Sequence, residues 1–210
     1  FGYSHTDFDG EKNITIIMQY IENGSLDDLL KNSELSLAPP SYDNTMRQKI
    51  LIGISYGMMH LHKHGVIHRD LKPGNILLDE NMHPIITDFG LSKLNESGFD
   101  IEQSQVCGTS IYMAPEVFES NRYNEKADVY SFGILMFEVV TDSVPYPLLK
   151  NKKLNPVKFS QMVMQDNYRP EFNVPVKKGI QKLIERCWSK DPKERPSFEE
   201  LFKKLAYNIE

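Results

Sequence analysis

The chain has 210 residues, 40% of them apolar and 10% aromatic, enough to bury one large core or two small ones and too many for wholesale disorder. Its formal net charge of −5, with no long basic block, argues against nucleic acid as the main partner. The most apolar window, 132–140, falls far short of the roughly 20 residues that span a bilayer, so no membrane segment is expected.

Cys107 and Cys187 stand isolated and far apart in sequence, which reads as free thiols in a reducing, cytoplasmic (intracellular) setting. The chain begins at Phe1 with neither methionine nor a charged-then-apolar leader, and so reads as a fragment of a longer protein.

In chain order, NITIIMQY (13–20) is rich in β-branched residues and predicts a strand. Asn-Gly-Ser breaks it, and Ser25 is placed to cap a short helix through Lys31. The polar stretch 32–44, with its proline pair, predicts a loop. From 45 to 64, Ile50, Leu51, Ile54, Met58 and Leu61 follow helical spacing, and Gly65 is a natural C-terminal stop. Two short strands follow, 75–79 and 84–88, around a polar tip. Residues 89–123 lack clear periodicity and predict a long ordered loop, a feature uncommon unless functional. Helical patterns then run over 125–141, 156–165, 176–188 and 197–208. Ser197 and Glu200 are spaced as a capping box for the last. Helix 125–141 is apolar nearly all round in its second half and should be the buried axis. The class is mainly helical with a small β component.

Chemistry concentrates at HGVIHRDLKPGNILLDE (64–80), where His68, Arg69, Asp70, Lys72 and Asn75 lie between apolar runs. If the two short strands pair through a tip at 80–83, then 77 faces 86 and 76 faces 87. That register puts Asn75 opposite Asp88 at the open end of the hairpin. An amide carbonyl and a carboxylate are hard oxygen donors, which suit Mg²⁺ held together with substrate phosphates. Asp70 has a different neighbourhood, with Lys72 two residues on. Two carboxylates in separate environments suggest one for metal and one for a proton.

At this point a family resemblance is evident. HRDLKPGN (68–75), DFG (88–90) and APE (114–116) resemble the catalytic loop, metal-binding motif and activation-segment end of protein kinases. DVYSFG (128–133) and CWSKDPKERPSF (187–198) resemble that family's buried central helix and terminal helices. The resemblance implies an α+β fold. Residues 1–20 would be the last one or two strands and hinge entry of an otherwise missing N-terminal lobe. Residues 21–210 would form the mainly helical C-terminal lobe, with the activation segment at 88–116.

It also implies roles. Asp70 would be the base that accepts the substrate hydroxyl proton, and Lys72 would neutralise the transferring γ-phosphate of ATP. Asn75 and Asp88 would hold Mg²⁺. Phe89 and Gly90 would let the segment swing. His68 is implied to be scaffold, Glu116 and Arg195 a buried ion pair, and Asp128 the anchor of the loop backbone. IIMQYIENGS (16–25) resembles the hinge, with Met18 as gatekeeper, Gln19 and Ile21 presenting backbone to adenine, Ser25 near the ribose and Leu77 beneath the base.

Lys72 and GTSIYMAPE (108–116) resemble the serine/threonine pattern, with Thr109 bonding near Asp70 and Lys72 in the active form. CW, RPSF and DVYSFGILMFEV resemble the tyrosine-kinase-like group, which leaves dual specificity open. Arg69 implies activation by a phosphate in the segment, where Ser97, Ser104, Thr109 and Ser110 carry hydroxyls and Ser104 lies nearest the middle. Protein substrates are the implied partners.

No G-x-G-x-x-G and no V-A-I-K-like strand occur among the 210 residues, so an upstream lobe is expected in the parent chain. The same gap makes a catalytically impaired interaction module the alternative. A zinc site from His60 and His64, four apart on one helix face, is a third and weaker reading. The lysine-rich 150–158 reads as a solvated loop or a docking surface.

Overall fold

In the computed structural model, residues 2–207 are described apart from 8, 14, 40, 89–92, 95–109, 121–123 and 148–154. The N-terminal part is a two-stranded antiparallel sheet, β1 (Gly2–Ser4) against β2 (Thr15–Ile17), with Tyr3 opposite Ile16. The strand expected over 13–20 is therefore only three residues long. Its length is set by the three-residue partner, and Met18 and Tyr20 beyond it are largely exposed.

Helix α1 (Leu26–Glu34) begins where Ser25 predicts, but runs one turn past Lys31 into the stretch read as loop. A full capping box starts it: Asp28 N–H donates to Ser25 Oγ at 3.2 Å, and Ser25 N–H donates to the Asp28 carboxylate at 3.2 Å. The Ser25 hydroxyl on that carboxylate holds Asp28 below the usual range. Helix α2 (Asn44–Lys63) is capped by Asp43 and stops before Gly65, whose φ of +73° only glycine adopts cheaply. Its buried face is Ile50, Leu51, Ile54 and Met58, as the spacing requires.

Beyond α2, β3 (Val66–Ile67) pairs antiparallel with β6 (Lys93–Leu94), and β4 (Ile76–Leu78) pairs with β5 (Pro84–Ile86). The expected register of this second hairpin is wrong by one residue. Ile76 faces Ile86 and Leu77 faces Ile85, so Asn75 lies across from Thr87 and not from Asp88. The reason is the tip. The Asp79 carboxylate accepts the amides of Asn81 (2.9 Å) and His83 (2.7 Å), and Asp79 N–H donates to His83 O at 3.1 Å. Met82, with φ +63°, takes the left-handed position that closes a three-residue loop, where a four-residue tip was expected.

Residues 110–120 are not loop: a 3₁₀ turn (Ser110–Tyr112) leads into α3 (Pro115–Ser120), started by the fixed φ of Pro115. Helix α4 (Glu125–Thr141) is the axis, with thirteen of its 17 residues buried. Around it lie α5 (Pro156–Gln165), α6 (Lys178–Cys187) and α7 (Phe198–Tyr207), the last packed along α2. At α7 only half the capping box forms: Glu200 N–H donates to Ser197 Oγ at 3.2 Å, while the Glu200 carboxylate meets Arg186 at 2.7 Å. The architecture is mainly helical with small two-stranded sheets, as expected. Among the described residues no helix is long and apolar enough to cross a membrane.

Three glycines are where helices and the hairpin touch. A Cβ at Gly53 would lie 2.5 Å from Pro84 Cγ, one at Gly57 2.8 Å from Ile86 Cδ1, and one at Gly133 2.7 Å from Cys187 Cβ. Helix propensity alone makes Gly→Ala favourable by about 1 kcal/mol. At Gly133 the backbone contact reverses that sign. Gly133→Ala is expected to destabilise the protein by about 1–3 kcal/mol, read as a lower midpoint in urea unfolding, whereas a raised midpoint would refute the close packing of α4 on α6.

Candidate active site

Helix α2, the turn at Gly65 and strand β3 deliver the chain to His68, and helix α4 holds it there. Asp128, in the first turn of α4 and 1% exposed, accepts the backbone N–H of His68 (2.9 Å, Oδ2) and of Arg69 (2.9 Å, Oδ1). Oδ2 also meets His62 Nε2 at 2.8 Å. Arg69 sits at φ +71°, a left-handed conformation that costs a non-glycine residue about 1–3 kcal/mol and survives where neighbours impose it. His68 is fully buried: Nε2 is 3.0 Å from Thr87 O and so carries the proton, leaving Nδ1 to accept Asp70 N–H at 3.3 Å. That is a scaffold's geometry.

Asp70, 7% exposed, is held unevenly. Its Oδ2 accepts from Lys72 Nζ (2.6 Å) and Asn75 Nδ2 (2.9 Å), and the same Asn75 nitrogen donates to Asp70 O at 2.8 Å. Oδ1 is buried and receives no hydrogen bond among the described residues. Asp70 lines a cavity of about 10 Å³ with Arg69, Leu71, Tyr112, Met113 and Ala114, which is room for about one water. The site thus presents one carboxylate oxygen with its acceptor capacity uncommitted, under the 110–114 stretch.

The hairpin completes the constellation. Thr87 N–H and Oγ1 donate to Asn75 O at 2.9 and 3.2 Å, locking the base of the loop to β5. Asp88 follows at φ +60° and is exposed, leaving the ladder one position past Asn75 rather than directly across from it. Both amide hydrogens of Asn75 go to Asp70, so its carbonyl oxygen is the atom left for another partner. A buried amide oxygen and, one ladder position on, an exposed carboxylate are hard donors of the kind that suit a divalent cation such as Mg²⁺.

Of the residues assigned to nucleotide binding, Ser25 and Leu77 are brought together by a bridge between their backbones, reinforced by Leu78 N–H to Gly24 O at 3.0 Å. The Ser25 hydroxyl is committed to Asp28 at 2.6 Å. Met18 and Gln19 are exposed and Ile21 is half-buried. Phe89, Gly90, Ser97, Ser104, Cys107 and Thr109 lie outside the described residues, and Ser110 opens the 3₁₀ turn. The lysine-rich stretch lies outside them up to 154 and continues into α5.

Arg195, 1% exposed, donates to both oxygens of Glu116 (2.6 and 2.8 Å), to Lys126 O (3.0 Å) and to Ser189 O (2.9 Å), and its guanidinium stands 5.2 Å from the Tyr130 ring. The Ala114–Glu116 end of the segment is thereby tied to the base of the helical core. Two participants escaped sequence reasoning. Thr87 carried no signal beyond preceding Asp88. In HLHKH, attention fell on His60 and His64, whose rings stack 5.3 Å apart on the surface, with His64 Nδ1 2.8 Å from His60 O. His62, between them on the other side of the helix, is the one that reaches the site. Cys187 is a buried free thiol whose pKa burial raises well above the ordinary value.

Comparison with known proteins agrees with this arrangement. The protein kinase domain family matches residues 4–205. A probable serine/threonine-protein kinase of Dictyostelium discoideum is 38% identical over 193 residues, covering 92% of this chain and 20% of the relative. The dual specificity protein kinase shkC of the same organism is 36% identical, covering 92% of this chain and 37% of the relative. The serine/threonine/tyrosine-protein kinase HT1 of Arabidopsis thaliana is 36% identical over 183 residues, covering 87% of this chain and 44% of the relative. The chain spans less than half the length of each.

Removing one partner of a buried pair leaves the other charge uncompensated. Glu116→Ala is therefore expected to destabilise the protein by about 3 kcal/mol in urea unfolding, discounted to the lower end of the range because Glu116 is partly solvated. A change within error would show that the carbonyls around Arg195 suffice to hold it.

Proposed function

The chain belongs to the protein kinase family, and on that premise we propose that it transfers the γ-phosphate of ATP to serine and threonine hydroxyls of protein substrates, as a member of the tyrosine-kinase-like group. The observation that carries this reading is Asp70. Its Oδ2 is held by Lys72 and Asn75, while Oδ1 is buried without a donor among the described residues. A hydroxyl reaching Oδ1 gives its proton to the carboxylate as its oxygen attacks phosphorus, and ADP leaves with the electrons of the broken bond. Lys72 Nζ, 2.6 Å from Asp70 Oδ2, is a cation beside the carboxylate, suited to charge on the transferring group.

Asn75 and Asp88 would hold Mg²⁺, which when bound neutralises charge on the nucleotide phosphates. Met18, Gln19 and Ile21 would meet adenine, with Ser25 and Leu77 beside the ribose and base. These assignments rest on the resemblance together with the Ser25–Leu77 bridge. A second reading, a non-catalytic interaction module, rests on the lack of G-x-G-x-x-G and of a strand lysine among the 210 residues. A module of that kind has no physical need for all three of Asp70, Asn75 and Asp88.

Three outcomes test the proposal. With γ-labelled ATP, Mg²⁺ and a generic protein substrate, Asp70→Asn is expected to lower kcat by about 10²–10⁴-fold with unfolding unchanged, since it removes one general base. Absence of transfer by a protein extended upstream to supply the expected N-terminal lobe would overturn the kinase reading and favour the module. Hydrolysis of the labelled product is expected to give phosphoserine and phosphothreonine, and phosphotyrosine alone would overturn the serine/threonine specificity. Asp88→Ala is expected to remove the Mg²⁺ dependence together with transfer, and retention of both would remove it from the metal-binding pair.

A further inference from the structure

We infer that Asn23 is a modification site, its side-chain amide converted to a carboxylate by attack of the next residue's backbone nitrogen. Asn23–Gly24 is the one Asn-Gly pair in the 210 residues. Glycine in second place leaves that nitrogen unshielded, because no Cβ stands beside it. Asn23 is exposed, and among the described residues Gly24 N–H donates to no acceptor. Two comparable pairs fail these criteria. Asn32–Ser33 lies inside α1, where helical dihedrals carry the following nitrogen away from the side chain. In Asp9–Gly10 the glycine N–H is bonded to Asp7 O at 3.2 Å, and a carboxylate is a poorer electrophile than an amide.

In the reaction the Gly24 nitrogen forms a bond to Asn23 Cγ, and the Cγ–Nδ2 bond breaks. Nδ2 leaves as ammonia with the proton that the Gly24 nitrogen gives up, and a five-membered imide remains. Water, the co-reactant, opens the imide at either carbonyl, leaving aspartate or its β-linked isomer.

The fold controls this step. Asn23 Nδ2 donates to Asp79 O at 2.6 Å, Asn23 N–H to Leu78 O at 3.3 Å, and Leu78 N–H to Gly24 O at 3.0 Å. These bonds seat residues 23–25 along β4, beside the Ser25–Leu77 bridge. The side chain must leave Asp79 O before Cγ can turn to the Gly24 nitrogen, so conversion follows the opening of this edge. Once formed, a carboxylate only accepts and cannot return to a carbonyl oxygen. The β-linked isomer also adds a backbone atom between residues 23 and 24, which displaces Gly24 and Ser25 along β4. Modification therefore releases the segment carrying Ser25 from the strand carrying Leu77. That these two residues flank a nucleotide rests on the reading proposed above; the chemistry at Asn23 does not.

The test incubates the folded protein, and the same chain unfolded in guanidinium chloride, in mildly alkaline buffer made with heavy-oxygen water. Peptide mapping with fragment-ion localisation then reads which asparagines have taken up solvent oxygen. Asn23 is expected to convert first in both states, and about 10–100-fold more slowly when folded, the scale of two net hydrogen bonds. Gly24→Ala is expected to slow conversion in the unfolded chain, since the added methyl shields the nitrogen. Conversion of the unfolded chain with none in the folded protein would overturn the inference. So would equal conversion at asparagines that no glycine follows.

The structural consequence has its own readout in Asn23→Asp. Amide exchange at Leu78 is expected to rise about 10-fold with the α2 and α4 core amides unchanged, as local loss of one or two bonds predicts. Protection equal to that of the unmutated protein would overturn the release of the segment. None of these measurements uses phosphotransfer, so failure of the kinase reading leaves the inference standing, and failure of the inference leaves that reading intact.

Discussion

Everything at the candidate site hangs from one buried carboxylate. Asp128 stands at the start of the most buried helix, where an ionised group without partners would be prohibitively unfavourable. Its two oxygens are satisfied by the amides of His68 and Arg69 and by His62. Because those amides lie in a loop with no ladder of its own, the same bonds that make the charge tolerable give the loop its shape. Arg69 can remain left-handed only under that constraint. Asp70 and Asn75 then find each other by short-range bonds, with Asn75 bridging the Asp70 carbonyl and carboxylate.

A second tier of charge fixes the far side. Arg195 is buried as deeply as Asp128, and its cation is divided between Glu116 and backbone carbonyls. Glu116 lies in the first turn of α3, just after the 112–114 stretch that lines the cavity with Asp70. The roof and the floor of the small cavity are thus tied to the same apolar axis, α4, by ion-containing networks rather than by packing alone. Such networks contribute little net stability compared with apolar contacts, but they specify one arrangement of the backbone. That property is what the proposed proton transfer requires, since small displacements there matter more than overall stability.

Much of this was legible in the residues. Helical spacing located α2, α4, α5, α6 and α7 to within a few residues, because each buries one face against a common core and the period shows in sequence. The motif residues Asp70, Lys72 and Asn75 cluster as expected because six consecutive residues cannot place them far apart. The hairpin register was not legible. It turned on whether the tip held three residues or four, and the Asp79 side chain, by taking two amides of the tip, selected three. A one-residue slip exchanged Asp88 for Thr87 opposite Asn75. His62 was illegible for a different reason: its partner is 66 positions away, and nothing local distinguishes it from His60 or His64.

What the sequence by itself determined is therefore the inventory and the local order: which segments are helical, where they are capped, and which polar residues lie together on one short loop. Those follow from periodicity and from side-chain bonds spanning three or four residues. The tertiary structure alone decided which oxygen of Asp70 stays uncommitted, which residue faces Asn75, and which of three neighbouring histidines touches Asp128. Each of those depends on contacts between elements remote in sequence, and a contact between remote elements has no period to be read from the chain.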